Sequence, residues 1–164
     1  MERIWAPWRQ EYVSNARPEN ICIFCPSQTG KSDRERLILA RSDYSLMMLN
    51  RYPYTGGHLM VAPLRHAADL DDLSDAELLD LMHLLRRGRA LLKRVASPDG
   101  FNVGINLGRA AGAGVEEHLH IHIVPRWNGD SNFMTVVGNV RVIPDGLTET
   151  YERLSASLAE GIAA

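Results

Sequence analysis

The sequence has few features that would place it outside the cell or in a membrane. No run approaches the ~18–20 apolar residues of a membrane span. Charged residues and Pro7 interrupt the opening segment, which is unlike a signal peptide. There are only two cysteines, Cys22 and Cys25. We therefore expect a cytoplasmic protein.

The chain also lacks an excess of charge of either sign. Its formal net charge is -2, so no global basic field draws it to nucleic acid or to an anionic membrane. A small phosphate ester needs only local positive groups, and a small-molecule substrate remains compatible with this balance. The length of 164 residues and an apolar fraction of 45% fit one domain with a real core.

The two cysteines are spaced Cys-x-x-Cys. In a reducing compartment this spacing indicates metal or redox chemistry before a structural disulfide. A zinc site needs about four ligands, so two more would have to come from elsewhere in the chain.

Hydrophobic periodicity predicts an antiparallel α+β domain. A long helix should begin at Ser74, which stands three residues before Glu77 in the spacing of a capping box. Apolar residues from Leu147 to Leu158 predict a terminal helix. Residues 1–20 read as an arm and 28–36 as a loop. Strands are expected at 37–40, 44–49, 58–62, 101–107 and 118–124, the last one ended by Pro125.

The strand at 118–124 carries three histidines in alternation: His118, His120 and His122. Because a strand has period two, the three imidazoles project from one face, and the apolar residues between them face the core. Side chains two residues apart lie ~6–7 Å apart. Two neighbouring histidines can therefore touch one phosphate group.

A single strand histidine is usually half-exposed or a satisfied core residue. A structural role does not explain three histidines in one row, because charged imidazoles repel one another. Two functional interpretations remain open from the residues. The histidines can bind zinc with an open position for water, or a neutral imidazole can attack phosphorus and form a phosphoramidate.

The segment His118-Leu119-His120-Ile121-His122-Ile123-Val124 resembles the signature of the histidine triad (HIT) superfamily, in which three histidines alternate with apolar residues. Upstream segments resemble its nucleotide-binding segments. The bacterial branch that includes diadenosine tetraphosphate phosphorylases is the most similar. The upstream segments are Leu49-Asn50-Arg51 and Gly57-His58-Leu59-Met60-Val61, and the stretches similar to the bacterial branch are Phe101 to Gly108 and Pro125 to Phe133.

The resemblance implies a single HIT domain over 1–164, with an N-terminal arm at 1–20 and a C-terminal extension at 128–164. Its fold would be an antiparallel sheet of about five strands with one long helix and a C-terminal helix. Family members are usually homodimers that join their sheets, so we expect a homodimer.

The resemblance also implies a role for each matching residue. His120 would be the nucleophile, His122 would contact the phosphate being transferred, and Asn106 would bind that phosphate or the adjoining ribose. The remaining predicted substrate-binding residues are Asn50, His58, Gly112, Gly114 and Trp127. A structural zinc ion, not required for the chemistry, would be held by Cys22, Cys25, His66 and His118.

The loop before the triad departs from the family pattern. Relatives usually carry Ser, Thr or Gln there, whereas this loop reads Gly112-Ala113-Gly114-Val115. Backbone N–H groups of such a loop can bind phosphate. The acceptor of the nucleotide, water or phosphate, stays open. We therefore expect a nucleotidyl transferase or hydrolase, with a purine nucleoside phosphoramidase, a zinc hydrolase and a non-enzymatic nucleotide-binding regulator as alternatives.

Overall fold

The computed structural model describes residues 22–25, 31–130 and 146–161. The predicted arm at 1–20, with Trp5 and Trp8, lies outside these residues. Within the described residues, five strands form one antiparallel sheet in the order β1-β2-β3-β5-β4. The strands are β1 (Ile38–Arg41), β2 (Ser45–Leu49), β3 (Leu59–Pro63), β4 (Gly100–Ile105) and β5 (Ile121–Arg126); the helices are α1 (Asp33–Arg36), α2 (Asp75–Ala96) and α3 (Leu147–Glu160). The α+β prediction is confirmed.

The long helix α2 begins where the sequence predicts. Ser74 is its N-cap and accepts a hydrogen bond from the Glu77 N–H, while the Glu77 carboxylate accepts one from the Ser74 N–H. The helix ends at Ala96, followed by Ser97 in the left-handed conformation. A leucine stripe packs α2 on the sheet: Leu81, Leu84, Leu85, Leu91 and Leu92.

The sheet separates two apolar clusters. The larger one lies under α2 and includes Leu119, Ile121 and Ile123, which confirms that these residues face the core. The smaller one lies on the other face. His122 is paired with Met60, a member of this smaller cluster, so the histidines project from the face opposite α2. The members of the smaller cluster are Phe24, Ile38, Leu46, Met48, Met60, Ala62 and Val115.

The last strand differs from its predicted bounds at both ends. It begins at Ile121 and not at His118, because the backbone before it pairs with a loop: the Leu119 N–H donates to the Ala67 carbonyl at 2.7 Å. The strand also continues through Pro125 to Arg126. At Pro125 the strand pairs only with β4, so the missing N–H of proline breaks no ladder with β3.

The prediction of a loop at 28–36 is wrong for its last part. Asp33–Arg36 forms the short helix α1, with Ser32 as N-cap in a capping box with Glu35. The Ser-x-x-Glu signal was present in the sequence. Separately, no helix among the described residues is long and apolar enough to span a bilayer.

Candidate active site

His120 is held in one tautomer by the backbone. Its ring is only 5% exposed, and its Nδ1 lies 2.9 Å from the carbonyl oxygen of His118. A carbonyl can only accept, so Nδ1 carries the hydrogen. In the neutral ring the lone pair therefore lies on Nε2, the atom that can attack an electrophile.

A second chain of hydrogen bonds fixes His58 and His122. The backbone N–H of Tyr54 donates to Nδ1 of His58 at 3.2 Å, and Nδ2 of Asn50 lies 3.4 Å from the same atom. The proton of neutral His58 is thus on Nε2, which donates to Nδ1 of His122 at 2.9 Å. His122 in turn carries its own proton on Nε2. It can donate that proton to an oxygen of a phosphate group.

Burial keeps His58 neutral. Its side chain is fully buried, and this burial, followed by the charges of His122 and His120, lowers its pKa to about 3. His58 is therefore uncharged at neutral pH, and its proton stays on Nε2. The rings also pack on one another: Tyr54 stacks on His58 at 4.8 Å between centroids, and His120 meets His122 edge to face at 4.9 Å.

The predicted phosphate-binding residues follow β4. Gly104 pairs with His122 and Ile105 with Ile121, so Asn106 comes at the level of His120. Nδ2 of Asn106 lies 3.5 Å from the Gly112 carbonyl oxygen, which ties the strand end to the loop. Gly112 has a φ of 85°, a left-handed conformation that favours glycine. Gly112 and Gly114 are both exposed to solvent.

Trp127 is not brought to the histidines within the chain. It follows β5, and at ~3.3 Å per residue it lies ~16 Å beyond His122. Its indole Nε1–H donates to the Ala96 carbonyl at 3.1 Å, at the end of α2. The contact of Trp127 with substrate stays a prediction.

The four predicted zinc ligands lie together. One ligand atom from each of Cys22, Cys25, His66 and His118 falls within 4.8 Å of all the others. His118 Nδ1 lies 3.2 Å from Cys22 Sγ, 3.7 Å from Cys25 Sγ and 3.2 Å from His66 Nδ1. A tetrahedral zinc ion with ordinary Zn–N and Zn–S bonds has edges of ~3.3–3.8 Å. The spacing of these donors fits such an ion.

The tautomer of His118 also fits a metal. His118 Nε2 donates to the Pro63 carbonyl at 2.9 Å, so Nδ1 carries the lone pair that faces the cysteines. Burial lowers the pKa of His118 to about 4, which keeps this imidazole neutral. Burial, with the hydrogen bond and charge of Cys22, raises the pKa of Cys25 to about 11, so this thiol would lose its proton only on binding the metal. Two thiolates and two imidazoles would make a closed structural set. Because His120 and His122 are outside it, the geometry does not favour the zinc-hydrolase alternative.

Two aromatic residues of the site were not predicted from the sequence. Phe24 lies between the two cysteines, and its ring stacks on that of His120. Tyr54 supplies the N–H that fixes the His58 tautomer. For Phe24, the only feature of the sequence that could have indicated this role is an aromatic residue between the two cysteines. For Tyr54, a backbone contact left no signal in the residue types.

Comparison with known proteins supports the same family. The HIT domain model matches residues 31–129. The AP-4-A phosphorylase of Mycobacterium tuberculosis strain H37Rv is 42% identical in an alignment of 167 positions that covers 97% of this chain and 85% of the relative. The adenosine 5'-monophosphoramidase of Schizosaccharomyces pombe is 30% identical over 84% of this chain and 98% of its own.

A solved structure agrees. The zinc-bound histidine triad family protein of Mycobacterium smegmatis superposes with a TM-score of 0.62 at 31% identity, covering 76% of this chain and 84% of that one. The likeness to the phosphorylase confirms the prediction of a HIT-family enzyme of the nucleotidyltransferase or hydrolase kind. With the family model matched over most of the chain and the histidines in place, this chain belongs to the HIT domain family.

Proposed function

We propose that the protein transfers a nucleotide through a covalent intermediate on His120, with diadenosine tetraphosphate as substrate. The observation that carries the proposal is the hydrogen bond from His120 Nδ1–H to the His118 carbonyl, which leaves the nucleophilic lone pair on Nε2. The 42% identity to an AP-4-A phosphorylase supports the choice of substrate.

In the first step, Nε2 of His120 forms a bond to the α-phosphorus as the bond from that phosphorus to the bridging oxygen breaks. The bridging oxygen leaves with the bonding electron pair as part of ATP. Negative charge builds on the non-bridging oxygens of the α-phosphate. The Nε2–H of His122 and the amide of Asn106 would stabilise that charge, and one well-placed donor is typically worth ~3–4 kcal/mol.

In the second step, an oxygen of phosphate or water forms a bond to phosphorus, and the bond to His120 Nε2 breaks. The electron pair returns to Nε2, and the incoming oxygen of water loses its proton to solvent. Phosphate as the acceptor gives ADP, and water gives AMP. Two in-line displacements retain the configuration at phosphorus and give ping-pong kinetics.

Product analysis with diadenosine tetraphosphate, with and without inorganic phosphate, tests this function. We expect ADP and ATP with phosphate, because the 42%-identical relative is a phosphorylase. AMP and ATP in both conditions would identify a hydrolase and keep the covalent step. Tight nucleotide binding without any turnover would contradict the proposal and favour a nucleotide-binding regulator.

A nucleoside phosphoramidase is the second candidate. The relative from Schizosaccharomyces pombe, 30% identical over 84% of this chain, is named for that activity. The same attack by His120 would break a P–N bond in place of a P–O bond. Cleavage of an adenosine phosphoramidate, without turnover of diadenosine tetraphosphate, would support this candidate over the first.

Three further features belong to the proposal. Zinc, held by Cys22, Cys25, His66 and His118, would stabilise the segment next to the histidines and take no part in the chemistry. A homodimer is proposed because β4 is an edge of the sheet and its Val103 is 46% exposed. A cytoplasmic location agrees with Cys22 and Cys25, which form no disulfide in the described part of the chain and face the predicted metal site.

A further inference from the structure

Phe24 links the metal ligands to the nucleophile. It stands between Cys22 and Cys25 in the chain and is fully buried, with 0% of its surface exposed. Its ring stacks on the His120 ring at 4.9 Å between centroids and 28° between planes. It also lies 5.1 Å from the ring of His118, tilted by 44°. Phe24 therefore contacts both a predicted metal ligand and the predicted nucleophile.

Two groups of contacts hold the segment around Phe24. In the first, the buried guanidinium of Arg36 donates to the carbonyl of Ile23 at 3.0 Å and to that of Cys25 at 2.9 Å. In the second, the sulfurs of Cys22 and Cys25 lie near Nδ1 of His118. A metal bound to these sulfurs and to His118 would fix both ends of the Cys-x-x-Cys segment. Binding of a metal would therefore restrict the position of the Phe24 ring further than the Arg36 contacts alone.

The orientation of His120 depends in part on that ring. Rotation of an imidazole about its last side-chain torsion is broad and roughly two-fold. The hydrogen bond from Nδ1 to the His118 carbonyl restricts this rotation at one point of the ring. The stacked face of Phe24 and the edge contact with His122 restrict it at two others. Removing the aromatic face would widen the range of directions taken by Nε2.

We infer that Phe24 is a positioning residue that couples occupancy of the Cys22, Cys25, His66 and His118 group to the orientation of His120. The expected effect of Phe24 on turnover rests on the proposed function. The expected effect of Phe24 on the orientation of the His120 ring does not rest on the proposed function. Phe24 touches no phosphate in this scheme and acts only through the nucleophile.

The first test compares Phe24→Leu with Leu46→Ala. Leu46 is equally buried in the same apolar cluster but makes no ring contact with the histidines, so it controls for lost packing. We expect Phe24→Leu to lower the single-turnover rate of the first step about two- to tenfold, the worth of an aromatic pair, with KM within about twofold of wild type. Equal rates in the two variants would overturn the inference.

The second test reads the rings directly by NMR. In the zinc-loaded wild type, the carbon-bound protons of His120 should be shifted upfield by the stacked Phe24 ring. Removal of zinc by a chelator should reduce that upfield shift in the wild type. In Phe24→Leu, removal of zinc should leave the chemical shifts of these protons unchanged. Unchanged His120 signals on zinc removal from the wild type would overturn the coupling. This readout needs no turnover, so it separates failure of the coupling from failure of the proposed function.

Discussion

His58 donates its Nε2–H to Nδ1 of His122 across 2.9 Å, while its own Nδ1 accepts the backbone N–H of Tyr54. If both rings are neutral, these contacts allow one placement of the ring protons, in which His58 and His122 each carry a proton on Nε2. The backbone thus determines the proton position two residues away from the predicted nucleophile. His58 is in this sense part of the catalytic arrangement, although it need not touch substrate.

Replacing His58 with Phe should slow the reaction more than it weakens binding. The ring and its packing against Tyr54 remain, but the donor to His122 is lost. We expect kcat to fall about 10- to 100-fold, the usual effect of removing such a supporting contact, with KM within a few-fold. Steady-state kinetics check this, with His83→Phe on the exposed face of α2 as the control. A kcat within twofold of wild type for His58→Phe would contradict the role of this chain.

The buried neutral state of His58 should make stability depend on pH. Its pKa is about 3 in the folded chain and ~6.5 in the unfolded one, so below about pH 6.5 the unfolded state binds more protons. The free energy of unfolding is then fully retained above about pH 6.5. It is lost as the pH falls toward the folded-state pKa, by up to ~1.4 kcal/mol per pH unit.

Denaturant unfolding between about pH 7 and pH 5 measures this effect. The metal ligands are the same in both proteins, so the difference between wild type and His58→Phe isolates His58. We expect the variant to lose less stability on acidification, and His83→Phe to follow the wild type. Parallel pH profiles for wild type and His58→Phe would show that burial does not keep His58 neutral.

Gly88 in the middle of α2 allows the helix to approach the sheet. A Cβ at this position would lie 2.8 Å from Met47 Sδ and 3.1 Å from Ile123 Cδ1. Gly88→Ala should therefore destabilise the protein by about 1–3 kcal/mol, although alanine favours helices. Thermal or denaturant unfolding measures it. Gly104→Ala, where a Cβ meets nothing within 4 Å, is the matched control. A more stable Gly88→Ala variant would contradict the packing.

The sequence predicted those features that depend on local periodicity. Ser74 and Glu77 mark the start of α2, and the alternation of Leu119, Ile121 and Ile123 places these residues in the core. The four metal ligands come from three separate segments. Only the family resemblance joined them, because periodicity carries no information on which distant loops meet.

Features fixed by backbone contacts could not be predicted. The strand begins at Ile121 because Leu119 pairs with Ala67, a contact between two loops. The tautomers of His58 and His118 depend on the Tyr54 N–H and the Pro63 carbonyl, which are backbone groups and carry no signal of residue type. The sequence identified the histidines, and the fold determines which nitrogen of each one carries the proton.

The edge strand β4 should be the surface at which two copies meet. Val103→Glu places a charge on its exposed face and should shift the protein toward the monomer. Light scattering coupled to gel filtration should give about twice 18.3 kDa for the wild type. Tyr44→Glu changes a residue of similar exposure, 47%, in the turn at the opposite side of the sheet and should remain dimeric. A monomeric wild type at micromolar concentration would contradict the dimer.

The covalent step on His120 can be measured directly. Wild type is mixed with diadenosine tetraphosphate, quenched at alkaline pH, digested and analysed by mass spectrometry for the peptide that contains His120. We expect an added AMP on His120 of the wild type and none in His120→Asn, whose kcat should fall at least about a thousandfold. Full turnover by a folded His120→Asn variant, or an adenylyl group found on a different residue, would contradict it.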